Sequence, residues 1–179
     1  MRYRIIMVAL AVFSLSACTE APAAQASADE AVPIGAVCEA SIRIGEGYVT
    51  DIESVDARIA VLEVMRGEKA WETVKAADPS NRPPDPGMEY VVVRIRFEYE
   101  AQAGRDQSYG IRDEQFAAVS GEGKPYERPS AAPPAPALNG RLYPGDSLEG
   151  WIVLSVSVHD SKPLMTFGNN YNRIWFRLY

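Results

Sequence analysis

Tyr90-Val-Val-Val-Arg-Ile-Arg-Phe-Glu-Tyr99 alternates along its whole length. Val91, Val93, Ile95, Phe97 and Tyr99 fall on one face, and Tyr90, Val92, Arg94, Arg96 and Glu98 on the other, mostly polar, face. Successive side chains of an extended chain point to opposite sides, so this pattern predicts a strand with one face on a core and one toward water. On a helix the same apolar residues would scatter around the circumference, which excludes that reading.

Working outward, further short strands follow. Residues 58–65 are β-rich, but Ile59 and Val61 lie on one parity and Leu62 and Val64 on the other, a change that marks a bulge. Residues 115–119 lead into Gly121-Glu-Gly-Lys124, a turn by composition, with Tyr126 beyond it. A second turn signal, Tyr143-Pro-Gly-Asp146, opens a strand over 148–156 in which Leu148, Ile152, Leu154 and Val156 share a face with Gly150. Residues 164–167 and the alternating Ile174, Phe176 and Leu178 complete the set. One helix is expected over residues 67–77, where Ala70, Trp71 and Val74 recur at three- and four-residue spacing before Asp78-Pro79 stops it. Residues 80–87 and the Pro-rich stretch 129–136 read as loops. Short strands divided by Gly/Pro turns predict an all-β chain, an antiparallel β-sandwich with one short helix.

The start of the chain is different. Arg2 and Arg4 precede an apolar run, Ile5 to Phe13, too short to span a hydrocarbon core of about 20 helical residues. Leu15-Ser-Ala-Cys18 closes it, and this stretch resembles the lipobox of bacterial lipoprotein signal peptides at every position. That resemblance implies cleavage before Cys18, acylation of its sulfur and amine, and a mature protein anchored in the cell envelope without spanning it. Two or more acyl chains hold firmly where one would come off. Thr19, rather than Asp, follows the cysteine, which favours the outer membrane in a cell that has one. Residues 19–37, mostly Ala with scattered Pro and acids, cannot bury enough apolar surface to offset ordering and read as a flexible stalk. The expected division is a signal peptide over 1–17, a lipidated N-terminus and linker over 18–45, and a single β-sandwich over 46–179.

Removal of residues 1–17 takes Lys plus Arg from 18 to 16 against 24 acids, moving net charge from −6 to −8. Such a balance speaks against nucleic acid as a partner, because binding to a phosphate backbone rests on Lys and Arg releasing counterions. Cys18 and Cys38 are the two cysteines, so lipidation of Cys18 leaves Cys38 without an intramolecular partner. Cys38 reads as a small half-buried residue, with an intermolecular disulfide as the alternative.

Three segments in order, Arg58-Ile-Ala-Val-Leu-Glu-Val-Met-Arg-Gly67 with Ala70-Trp71, Pro86-Gly-Met-Glu-Tyr-Val-Val-Val-Arg-Ile95, and Leu142-Tyr-Pro-Gly-Asp-Ser-Leu-Glu-Gly-Trp151-Ile-Val-Leu154, resemble the DUF4352 family. These are the telokin-like or MPT63-like immunoglobulin-type sandwich domains of bacterial lipoproteins and secreted antigens. The resemblance covers nearly all of residues 50–179, and the closing Ile174-Trp-Phe-Arg-Leu178 also fits it. It implies an immunoglobulin-like fold in an extracytoplasmic setting, and supplies no catalytic or ligand residue.

Chemistry is sparse. His159, the only histidine, stands beside Asp160 between two expected strands, and no Gly-x-Ser-x-Gly elbow accompanies it. A hydrolase or metal-dependent enzyme would have to use His159 with nearby acids. No catalytic residue, metal site or cofactor is assigned: one histidine and one free thiol do not make a zinc site. Asp106, Asp113 and Glu114, like Asp51, Glu53 and Asp56, lack the spacing of a calcium loop. An acid in Gly45-Glu-Gly47 would repel a phosphate. Tyr90, Trp151, Trp175 and Tyr179 fall opposite the strongest apolar rows; exposed together, they would form a patch for an envelope protein or glycan. The ordinary alternative is that the sandwich buries them or that the helix over 67–77 covers them. Convergence of His159, a serine and an acid in one pocket would favour the enzyme. An exposed patch of Tyr90, Trp151 and Trp175 would favour binding, and neither would leave a structural envelope protein without a specific ligand.

Overall fold

The computed structural model describes residues 30–44, 53–100, 106–169 and 172–179. The signal segment, Cys18, the Gly45-Glu-Gly47 stretch and Asp51 lie outside the described residues. In chain order the elements are β1 (Val37–Ile44), β2 (Glu53–Arg66), α1 (Gly67–Ala77), β3 (Met88–Tyr99), β4 (Tyr109–Arg112), β5 (Phe116–Val119), β6 (Asn139–Leu142), β7 (Ser147–Ser157), β8 (Leu164–Asn169) and β9 (Asn172–Arg177). One 3-10 turn, Asp113–Gln115, leads into β5.

One antiparallel sheet has the order β1-β2-β3-β7. A β5-β8-β9 sheet and a β4-β6 ribbon make up the other layer. The core fills the space between, so the described residues form an antiparallel β-sandwich with one α-helix. The alternating row expected of residues 90–99 supplies its centre: Val91, Val93, Ile95, Phe97 and Tyr99 are all buried there. They meet Ile152, Leu154 and Val156 of β7 and Ile59 and Val61 of β2. Aromatic contacts carry the packing across the layers. Phe97 stacks on Tyr109 at 5.4 Å and lies 6.0 Å from Phe167, which in turn sits 4.7 Å from Phe116.

The bulge predicted within residues 58–65 is present. Val61 pairs with Ile95 but Glu63 pairs with Arg94, leaving Leu62 as the extra residue. Its effect is to exchange faces: Ile59 and Val61 point into the main core before it, whereas Val64 does so after it and Met65 turns to the outer side. Met65 thereby lies under α1, which occupies the expected residues and is followed by Asp78, whose N–H donates to the Val74 carbonyl at 3.3 Å.

Two expectations need correction. The linker was expected to run to residue 45, yet Val37–Ile44 is a full edge strand pairing with β2, and Ala31 is buried beside Val119 and Leu164. Alanine-rich composition hides this because small side chains suit a crossing between sheets as well as they suit a stalk. The outer face of β3, expected to be polar, is apolar at one end: Tyr90 and Val92 pack with Met65, Val153, Ala70 and Val74 beneath the helix. The strands β4 and β6, four residues each, were too short to show a period.

Candidate functional site

One end of the sandwich opens into a cleft of about 870 Å³. Three pieces of chain distant in sequence form it: the turn after β5, the connection from β7 to β8, and the residues at and beyond the end of β9. The turn after β5 is closed by the Gly123 N–H donating to the Ser120 carbonyl at 2.8 Å, with Gly123 in the left-handed region at φ 83°. The Ser120 hydroxyl accepts from the N–H groups of Glu122 (3.3 Å) and Lys124 (3.1 Å). A side chain on Gly121 would come within 3.2 Å of the Lys162 carbonyl, so the two connections touch.

Asp160 fastens them. Its Oδ2 accepts from the Tyr126 hydroxyl at 2.9 Å and from the Gly121 N–H at 3.3 Å, and its Oδ1 accepts from the Lys162 N–H at 3.0 Å. Its carbonyl accepts from Arg66 Nη2 at 2.9 Å, while the same guanidinium is paired with Glu89 through Nε at 3.0 Å. Burial, with the hydrogen bond to Asp160 adding to it, pushes the Tyr126 phenol above the ordinary tyrosine value, so it stays a neutral donor. A carboxylate with these bonds is a structural clamp and is turned away from service to a histidine.

His159, Ser120, Ser157, Ser161 and Asp160 do line one cleft, the convergence that an enzyme reading asks for. Their bonds are those of turns. The Ser157 hydroxyl accepts from the backbone N–H of His159 at 3.2 Å, and the exposed imidazole has no partner among the described residues. Lys162 and Arg177 likewise bring side chains to the cleft that no described carboxylate pairs with, whereas Lys124 sits 3.1 Å from Glu122. Tyr179, 51% exposed, stands at the rim.

The aromatic patch does not form. Tyr90 is only 5% exposed, with Trp71 at 6.1 Å and its hydroxyl donating to the Arg82 carbonyl at 2.9 Å. Trp151 packs half-buried in the same cluster, under the Arg94 guanidinium at 5.9 Å. Trp175 belongs to the other layer, where it packs with Ala31, Val119 and Leu164 and lies 5.8 Å from Arg173. The helix covers the first two and the N-terminal segment the third. Asp113 is paired with Arg128 at 3.2 Å, and no group of three or more His, Cys, Asp or Glu could hold a metal ion among the described residues. Cys38 is half-buried against the core, and burial, then the neighbouring Glu39, pushes its thiol upward, which lowers its reactivity.

Of the cleft, sequence reasoning singled out His159 and Asp160 for chemistry and Tyr179 as an aromatic. Lys162, Arg177 and Tyr126 carry no local signal, because their meeting depends on turns some 40 residues apart coming together.

No protein-family model matches the sequence, and no curated protein does. Two solved structures from Bacillus subtilis align with it. The yjhA protein is 12% identical with a TM-score of 0.48, covering 83% of this chain and 99% of its own. A lipoprotein candidate, ycdA, is 12% identical with a TM-score of 0.47, covering 78% of this chain, which spans only 37% of ycdA.

Proposed function

We propose that this is a lipid-anchored extracytoplasmic protein of the cell envelope whose sandwich is a binding module, with the end cleft as its binding site. The anchor rests on the lipobox-like Leu15-Ser-Ala-Cys18 behind a short apolar run. No described helix is long and apolar enough to cross a membrane. Thr19 favours the outer membrane where there are two, and the DUF4352 resemblance gives the domain the same setting. One observation carries the binding role: the cleft presents His159, Lys162 and Arg177 side chains that find no partner among the described residues. Polar groups held at the mouth of a concave site, without internal partners, are what fixes a ligand's orientation.

The anchor is tested by the intact mass of membrane-extracted full-length protein beside a Cys18→Ala control. Loss of residues 1–17 with added acyl mass, absent from the control, is expected; an unmodified soluble species would remove the anchor. The binding role is tested with a photo-crosslinking residue at position 159 and, separately, at the exposed position 63, in living cells. Capture of an envelope component from 159 alone is expected, and equal or no capture from both would count against the cleft.

The convergence of His159 with serines keeps a hydrolase as the second reading. It predicts ester hydrolysis that His159→Ala abolishes, whereas the binding module predicts none.

A further inference from the structure

We propose that the cleft receives an anionic saccharide, with Arg177 and Lys162 taking its carboxylate or phosphate group. This rests on the reading of the domain as a binding module and names the ligand class for that site.

The argument begins with charge. The chain as a whole is acidic, at −6, yet Lys124, Lys162 and Arg177 gather in the cleft, where the described side-chain carboxylates are Glu122 and Asp160. Neither acid forms an ion pair with Lys162 or Arg177. Glu122 is paired with Lys124, and the Asp160 carboxylate is occupied by Tyr126, Gly121 and Lys162 N–H donors. Several arginines elsewhere are paired with a carboxylate. Arg94 and Arg96 both engage Glu149, Arg66 engages Glu89, and Arg128 engages Asp113. Lys162 and Arg177 thus bring two cations without described partners into one concavity of an acidic chain. Low-dielectric walls focus such a field toward an incoming anion.

The rest of the lining selects among anions. Ser161 offers a hydroxyl that no bond among the described residues claims. Tyr179 provides an exposed ring at the rim and Leu164 a small apolar floor. Cations for a charge, hydroxyls for hydroxyls and a ring face for the C–H side of a sugar make up the chemistry of saccharide recognition. A bare inorganic ion would use only the first. At about 870 Å³ the cleft lies within the roughly 300–1,000 Å³ usual for small-ligand sites, and its openness suits one stretch of a longer chain. Charge-assisted bonds to Arg and Lys are roughly twice as strong as neutral ones, so these two residues should dominate affinity.

The experiment titrates the full chain carrying Cys18→Ala with tetragalacturonate, with uncharged maltotetraose and with inorganic phosphate at low salt, following amide chemical shifts. Tetragalacturonate is expected to move the signals of residues 120–124, 157–162 and 177–179, maltotetraose and phosphate far less. Lys162→Gln with Arg177→Gln should weaken tetragalacturonate about tenfold or more, corresponding to about 1.4 kcal/mol, at an unchanged melting temperature. Lys162→Glu alone should weaken it as well. Equal response to phosphate would mean an adventitious ion only and overturn the saccharide assignment. Binding of maltotetraose as tight as tetragalacturonate, or indifference to the charge variants, would overturn the ionic one. No response to any of the three overturns the proposal, while capture by crosslinking from position 159 would still uphold the module.

Discussion

Gly150 lies on β7 where residues 136–138 run alongside it, and the close approach is made by backbone. A Cβ there would sit 2.5 Å from the Leu138 nitrogen and 2.7 Å from the Ala137 carbonyl carbon, distances that no rotamer change relieves. The same crossing holds two main-chain bonds, Trp151 N–H to the Pro136 carbonyl at 2.8 Å and Leu138 N–H to the Trp151 carbonyl at 3.0 Å. It also seats the fully buried Leu138. Gly150→Ala must therefore push this stretch off β7, and should cost about 1–3 kcal/mol in urea unfolding, in the range of overpacked cores. Gly140→Ala is the control. Its Cβ would meet only the end of the Leu148 side chain, at 3.2 Å, which can swing aside, so the loss should be a few tenths of a kcal/mol. Equal losses at both positions would mean that the crossing tolerates displacement. Sequence placed Gly150 on the core face, but the reason for glycine there lies in a loop that passes it in space.

Among the elements, α1 decides what the outer face of the main sheet becomes. The bulge at Leu62 turns Met65 outward, and Ala70 and Val74 of the helix close over Met65, Tyr90, Val92 and Val153. Both helix residues are fully buried. Val74→Asp would bury a carboxylate with no partner, so we expect a loss of at least about 3 kcal/mol or detachment of the helix. Trp71 and Trp151, half-buried at the margin of this cluster, report it: tryptophan emission should shift to the red in Val74→Asp and stay in place in Val74→Ile. An unshifted spectrum would show that the sheet face is covered without the helix. The helix span, the bulge and the strand over 90–99 were legible because each leaves a local period or a break in one. What the helix covers was not legible. Tyr90 and Val92 carry the same alternation whether solvent or a helix faces them, and only the tertiary fold decides. The cleft was less legible still, since Lys162 and Arg177 are ordinary surface residues until Asp160 draws two distant turns together.

At the scale of the whole molecule, the N-terminal segment ties the two layers to each other. Val32 joins β9, donating to the Trp175 carbonyl at 2.8 Å and accepting from the Arg177 N–H at 2.9 Å, so it belongs to the second layer. Three residues later the Gly35 N–H donates to the Val61 carbonyl at 2.8 Å, and β1 then pairs along β2 from Val37↔Ala60 to Ile44↔Glu53. A segment that reads as stalk is thus a lace across the sandwich edge. The lace also touches the cleft, because Ala31 packs on Leu164, a lining residue, and Val32 bonds to Arg177. A chain beginning at Glu30 should therefore unfold like the full chain with Cys18→Ala. One beginning at Glu46 would lose the burial of Ala31 and Ile42 and the whole β1 ladder, and would leave β2 as a long unprotected edge. Apolar burial alone places the loss at roughly 2–4 kcal/mol, and the bare edge should make the shortened chain self-associate in size-exclusion chromatography. Identical urea midpoints and monomeric elution for both chains would mean that residues 30–44 merely rest on the sandwich. A loss confined to the shorter chain would place the start of the domain at the lace.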